Sequence, residues 1–207
     1  MLKLFCAPGS CARASHIALR EAEADFELHF VDFAASEQRT EAYREVNPKG
    51  RVPALQTDRG VITETPAILA YIGQSYPAAR LAPLDDPFEF ARLQSFASYL
   101  CATVHVAHAH ARRGERWADD PPAIAEMKRK APEVMLDCFQ LIEDELLGRP
   151  WMMGEAYSVV DGYLFTISQW LAFHRIDTAR YPKVHEHMQR MLERPAVQAT
   201  LEVESAG

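Results

Sequence analysis

The run Asn47-Pro48-Lys49-Gly50-Arg51-Val52-Pro53-Ala54-Leu55, followed shortly by Thr63-Glu64-Thr65-Pro66-Ala67-Ile68-Leu69, constrains this chain more than any other stretch. Pro48 and Gly50 mark a turn, and Pro53 leads a strand, since it has no N–H to give to a ladder interior. Val52 to Gln56 and Gly60 to Thr63 read as two strands joined by an Asp-x-Gly turn at Thr57-Asp58-Arg59-Gly60. Thr65 to Gln74 then reads as a helix, with Pro66 in its first turn, where proline is tolerated. Exposed backbone at Val52 is thereby set beside a helix N-terminus at Thr65. Such a pair can hold a small zwitterionic peptide by its main chain and its carboxylate.

The flanking sequence extends this pattern. Leu2 to Phe5 is a short strand, Ala7-Pro8-Gly9-Ser10 a turn, and helical spacing runs from Cys11 to about Ala24. Phe26 to Phe33 alternates as a strand, and Ser36 to Glu45 suggests a short exposed helix. Residues 1–76 thus read β-α-β-α-β-β-α, an order compatible with a thioredoxin-like fold. Residues 77–87, with three prolines, read as a linker, and 88–207 as an all-helical bundle domain. Phe90, Leu93, Ala97, Leu100, Val104 and Ala107 form one buried stripe; Ile124, Met127, Ala131, Val134, Cys138 and Leu141 form a second. Ser158-Val159-Val160-Asp161 resembles a capping box opening a helix to Phe173.

Charge narrows the function classes. The 29 acidic against 22 basic side chains, with no long Lys/Arg run, argue against a nucleic-acid partner. No apolar run reaches membrane-spanning length and no leader pattern opens the chain, so a cytoplasmic protein is expected. Cys6, Cys11, Cys101 and Cys138 show neither zinc nor C-x-x-C spacing and are expected to be thiols. The helix start at Cys11 is expected to lower its thiol pKa, whereas Cys6 reads as core. Ser98, Ala102, His105 and Ala109 lie one step round from the first stripe, as a small-residue face suited to a cleft. His105, His108 and His110 do not share one helical face, so no metal site is expected.

Four segments, in order, resemble bacterial beta-class glutathione transferases: Ser10-Cys11 with Ser15 to Glu21, Asn47 to Leu55, Ser158 to Asp161 with Tyr163-Leu164-Phe165, and Met188 to Pro195. The resemblance implies a glutathione transferase that activates the glutathione thiol for attack on a small electrophilic or disulfide-containing substrate. It also implies glutathione as co-substrate and a homodimer; the alternative is a fold relative that binds ligands or regulates without turnover. Carried over by position, Val52 and Pro53 form a cis bond and offer the main chain, while Glu64 meets the ammonium and Thr65 the γ-glutamyl carboxylate. Cys11, in preference to its neighbour Ser10, faces the sulfur and forms a mixed disulfide as the most reactive thiol. His105 approaches the same sulfur from the helical domain and titrates near neutrality; Ser98 stands where the class has asparagine. The lysine of the class falls near Ser36, where no basic residue stands, so Arg51, Arg112 or Arg113 is left to replace it. The segment from His108 to Trp117 has no counterpart in the class.

Overall fold

The computed structural model describes residues 1–206. Strands β1 (Leu2–Cys6), β2 (Phe26–Phe30), β3 (Ala54–Thr57) and β4 (Gly60–Thr63) form one sheet in the order β2-β1-β3-β4. β1 pairs parallel with β2 and antiparallel with β3, and β3 and β4 form a hairpin. Helices α1 (Ala12–Glu21), α2 (Glu41–Val46) and α3 (Thr65–Ser75) complete the expected β-α-β-α-β-β-α order of a thioredoxin-like unit.

Side chains set the boundaries, and several differ from the sequence reading. β2 ends at Phe30 because Glu37 draws the chain away: its carboxylate accepts the Asp32 N–H at 2.7 Å and meets His29 at 2.6 Å. The helix expected from Ser36 is instead a 3-10 turn, Glu37–Arg39, followed by α2 with Thr40 as its cap. β3 starts at Ala54, since Pro53 has no N–H to donate. Its hairpin is shaped by Thr57, whose hydroxyl donates to the Gly60 carbonyl and accepts the Arg59 N–H, more than by Asp58.

The remaining chain is helical: α4 (Pro87–Tyr99), α5 (His105–Arg112), α6 (Pro121–Leu141), α7 (Val159–Ser168), α8 (Pro182–Leu192) and α9 (Pro195–Ala206). Asp86 and Asp120 cap α4 and α6, each ahead of a proline that suits a first turn. A π-helical turn, Leu100–Val104, separates α4 from α5 where one continuous helix was expected. On α6 the buried line runs through Ala131, Met135, Phe139 and Ile142, not to Leu141, which is 42% exposed. The helix expected to reach Phe173 tightens at Gln169 into a 3-10 segment ending at His174.

All ten residues of α7 are buried, and this helix is the axis of the molecule. Asp161 accepts the Ser158 N–H at 2.8 Å, the Met152 N–H at 2.6 Å and His187 Nε2 at 3.0 Å, which fixes the start of α7. α1 lies directly on α7: a Cβ at Gly162 would come within 3.3 Å of Ile17 Cγ2. Ile17 also shares a buried cluster with Phe165, Met191 and Val197. The sheet's first helix is therefore packed into the helical bundle, and Arg51 and Glu64, ahead of β3 and α3, lie near enough to His105 at the start of α5 for their charges to act on it.

Candidate functional site

Cys11 sits immediately before α1 and is 8% exposed. Its Sγ–H points at the Val52 carbonyl, 3.6 Å away. The Val52–Pro53 bond is cis, and Val52 precedes the ladder of β3, so its backbone is not consumed by the sheet. Arg51, next in line, has its carbonyl held by Tyr43 Oη at 2.8 Å and Asn47 Nδ2 at 2.6 Å, while its side chain is exposed. Asn47 and Tyr43 are buried and brace the loop that presents Val52.

The expected lowering of the Cys11 thiol pKa is overturned. The first-turn N–H groups expected to favour a thiolate are already engaged, because Ser10 Oγ accepts the Ala12 N–H at 3.2 Å and the Ser10 carbonyl accepts the Arg13 N–H at 3.1 Å. Burial then pushes the Cys11 thiol up to about 11, outweighing the Thr65 hydroxyl and the Arg113 charge, which pull it down. Cys101 is partly exposed, whereas Cys6, Cys11 and Cys138 are buried. Ser10 is committed to the backbone as well, donating to the Ala7 carbonyl at 2.7 Å while accepting the Ala12 N–H at 3.2 Å.

Thr65, expected as the N-cap, is the first residue of α3 and is 3% exposed. The capping position belongs to Glu64, held at φ 71°, ψ 125°, a conformation costly for a non-glycine residue and common where a site imposes it. The Glu64 carboxylate is exposed at the cleft and pairs with Lys49, which also donates to Thr63 Oγ1. Beneath, Tyr163 is fully buried in the company of Cys11, Cys101 and Thr65.

His105 opens α5, half-buried, with its ring 4.8 Å from that of Trp170. Burial and the charges of Arg113, Arg116 and Arg51 push it down to about 4, so it is neutral at pH 7 and does not titrate there as expected. The face expected to run from Ser98 through Ala102 to His105 and Ala109 is interrupted by the π turn: Ser98 and Ala102 are exposed and Ala109 is buried. No side-chain contact ties Ser98 to the cleft among the described residues. His108 stacks on Trp170 at 4.5 Å and shares a hydrogen bond with His174, while His110 packs edge-on against Trp117. Among the described residues no group of three or more His, Cys, Asp or Glu side chains could hold a metal ion.

Two residues that the sequence reading missed hold the loop before Cys11 from both sides. Trp170 Nε1 donates to the Gly9 carbonyl at 3.0 Å. Glu204, on α9, accepts the Gly9 N–H at 2.9 Å and pairs with Arg13 at 2.7 Å. They lie some 160 and 195 positions away in the chain, so no local spacing could have announced them.

Comparison with known proteins agrees with this architecture from end to end. The family models for the glutathione S-transferase N-terminal and C-terminal domains match residues 1–74 and 106–195. Glutathione S-transferase GstA of Escherichia coli O157:H7 is 32% identical over 98% of both chains. A glutathione transferase homologue from Sulfitobacter, solved with bound glutathione, superposes with a TM-score of 0.95 at 41% identity, covering 98% of each chain. A bacterial beta-class glutathione S-transferase from Sphingomonas chungbukensis does so with a TM-score of 0.86 at 37% identity, covering 99% of this chain and 100% of that one. With both domains matched in sequence and in fold, this chain belongs to the glutathione S-transferase family, and within it resembles the bacterial beta class.

Proposed function

We propose that this transferase lays glutathione along Val52 and directs its thiol onto a small electrophile received by the helical bundle. The observation that carries the reading is Val52, whose main chain lies outside the ladder with its carbonyl facing Cys11. The cysteinyl amide pairs with that main chain as an added strand would. The γ-glutamyl carboxylate meets the start of α3 at Thr65, and the ammonium meets Glu64 in place of Lys49. The glycyl carboxylate lies toward Arg51 and Arg39, which stand in for the lysine absent near Ser36.

Cys11 acts as a hydrogen-bond donor. With a pKa of about 11 it keeps its proton at neutral pH. Once the ligand amide occupies the Val52 carbonyl, the Cys11 S–H turns to the glutathione sulfur and favours its thiolate, the form that attacks. His105, neutral at that pH, is a second hydrogen-bonding group on the bundle side. Peroxide and mixed-disulfide reduction use the same thiolate and are secondary activities of this reading.

We further propose a cytoplasmic homodimer. Phe88, 71% exposed at the start of α4, with Leu84 nearby, gives an apolar surface for a second copy. Sedimentation at micromolar concentration should give twice 23.3 kDa; a single-chain mass would remove this part of the reading. For the activity, retention on immobilised glutathione and turnover of an aryl halide are expected together. Retention without turnover of aryl halide, peroxide or disulfide would favour a non-catalytic ligand binder, and no retention would overturn the glutathione site.

A further inference from the structure

Most arginines that touch a carboxylate in this protein lie far from the cleft, in pairs such as Arg129–Glu126 and Arg194–Glu21. Other arginines, Arg44, Arg59, Arg80 and Arg112 among them, lack a salt bridge among the described residues. Four of the unpaired ones, Arg39, Arg51, Arg113 and Arg116, are set apart because they are neighbours, the first three close enough for their charges to act on the fourth. This occurs in a chain with seven more acidic than basic side chains.

The backbone brings them together. The Glu37–Arg39 turn lies on Gly50, where a Cβ would stand 2.8 Å from the Gln38 carbonyl oxygen, so Arg39 and Arg51 leave adjoining segments. Arg113 follows α5 and carries its guanidinium to 5.8 Å from the Phe33 ring, which packs in the same cluster as Val52. Arg116 is in the next 3-10 turn, its N–H donating to the Arg113 carbonyl at 3.0 Å. The like charges are felt: burial, Arg113 and Arg51 loosen the proton of Arg116, with exposed Glu115 as the opposing acid. A group of unpaired cations facing one cleft is an arrangement that an anion relieves.

One carboxylate does not use all four. Under the reading above, which this inference rests on, the glycyl carboxylate engages Arg39 and Arg51, beside Val52. Arg113 and Arg116 belong to the bundle, the side of His105 and of the exposed Trp117 ring. We propose that Arg113 and Arg116 form a subsite for the second substrate, and that this substrate is a small aromatic or conjugated electrophile carrying a carboxylate. The two guanidiniums hold the carboxylate, and Phe33 and Trp117 offer flat apolar faces to the body of the molecule. The carboxylate orients the electrophilic carbon and takes no part in bond making.

The test is equilibrium binding to the full chain, by calorimetry, of 4-nitrobenzoate and its uncharged isostere 4-nitrobenzamide, with and without S-methylglutathione. With S-methylglutathione bound, the benzoate should bind at least about tenfold more tightly, the order expected of one charge-assisted pair in a partly dry site. The Arg113→Gln/Arg116→Gln double variant should cut that ratio to about twofold or less, whereas Arg51→Gln should chiefly weaken S-methylglutathione. Equal binding of the two probes overturns the subsite. So does a preference that survives the double variant, or one that vanishes when S-methylglutathione fills its site, which would assign these arginines to the glycyl carboxylate. Failure of S-methylglutathione to bind strikes the glutathione reading instead. The double variant then decides the subsite by itself: loss of the benzoate preference upholds it and retention refutes it.

Discussion

Replacing Glu204 should loosen the loop that carries Cys11, although the two residues are at opposite ends of the chain. Glu204 Oε2 accepts the Gly9 N–H at 2.9 Å, Arg13 Nε at 2.8 Å and Arg13 Nη2 at 2.7 Å. Its side chain is 2% exposed and that of Arg13 13%. On the other side, Arg20 Nε donates to His16 Nε2, so the His16 proton is on Nδ1, 3.6 Å from Glu204 Oε1. Glu204→Gln keeps one acceptor but turns a charge-assisted pair into a neutral one and sets an NH2 group against donors. That should cost about 2–3 kcal/mol. Glu204→Ala strands the guanidinium and the Gly9 N–H together, and about 3–5 kcal/mol is expected, nearer the low end because Arg13 also reaches Gln169. For a chain of this size each kcal/mol moves Tm by about 2–4 °C, so about 6–12 °C should be lost on a 3 kcal/mol change.

The acid side of the stability profile supplies an independent check. Burial raises the Glu204 pKa, but the His16 ring 3.6 Å away and the hydrogen bonds from Arg13 and Gly9 outweigh it and hold the carboxyl below its ordinary value. A carboxyl with a depressed folded-state pKa contributes stability above its unfolded value, and loses it as pH falls through the folded one. Wild type should therefore shed stability below the ordinary glutamate range faster than Glu204→Gln does. Urea midpoints by circular dichroism between pH 7 and pH 3, with glutathione affinity at pH 7, measure both effects. A loss under about 1 kcal/mol in Glu204→Ala, or parallel acid profiles, would refute the clamp. Unchanged glutathione affinity in a clearly destabilised variant would sever it from the site.

Cysteine labelling with iodoacetamide at pH 8 should modify Cys101 first, since it is half-exposed, and peptide mapping reads the order. The Cys11 rate should climb with pH toward its value of about 11; a plateau below pH 8 would mean a thiolate that burial does not permit. Asp161→Ala orphans the N–H groups of Ser158 and Met152 and the His187 ring, and should cost on the order of 3 kcal/mol or more by urea unfolding. A loss within about 0.5 kcal/mol would show that α7 does not depend on its capping box.

What could be read from the sequence was whatever depends on neighbours in the chain. Pro53 after Val52, Pro66 after Thr65, and Ser158 with Asp161 each act within one turn or one hairpin, so their spacing carried the β-α-β-α-β-β-α order and the start of α7. The errors came where a distant group competes with a local preference. A thiol at a helix start has a lowered pKa only if the N–H groups there remain available and the sulfur stays wet. Ser10 takes those groups, and α7 buries the sulfur beside Tyr163. Burial, with three arginines behind it, one from before Val52 and two from beyond α5, pulls His105 from the ordinary imidazole range to about 4. In both residues tertiary packing, which no local spacing announces, sets the protonation. Where no lysine stands near Ser36, positive charge is present on Arg39 in the Glu37–Arg39 turn, on Arg51, and on Arg113 and Arg116 beyond α5. On the proposed reading, a change at Arg113 or Arg116, which belong to the helical bundle, should alter which electrophile is received and leave undisturbed the backbone at Val52 proposed to hold the tripeptide.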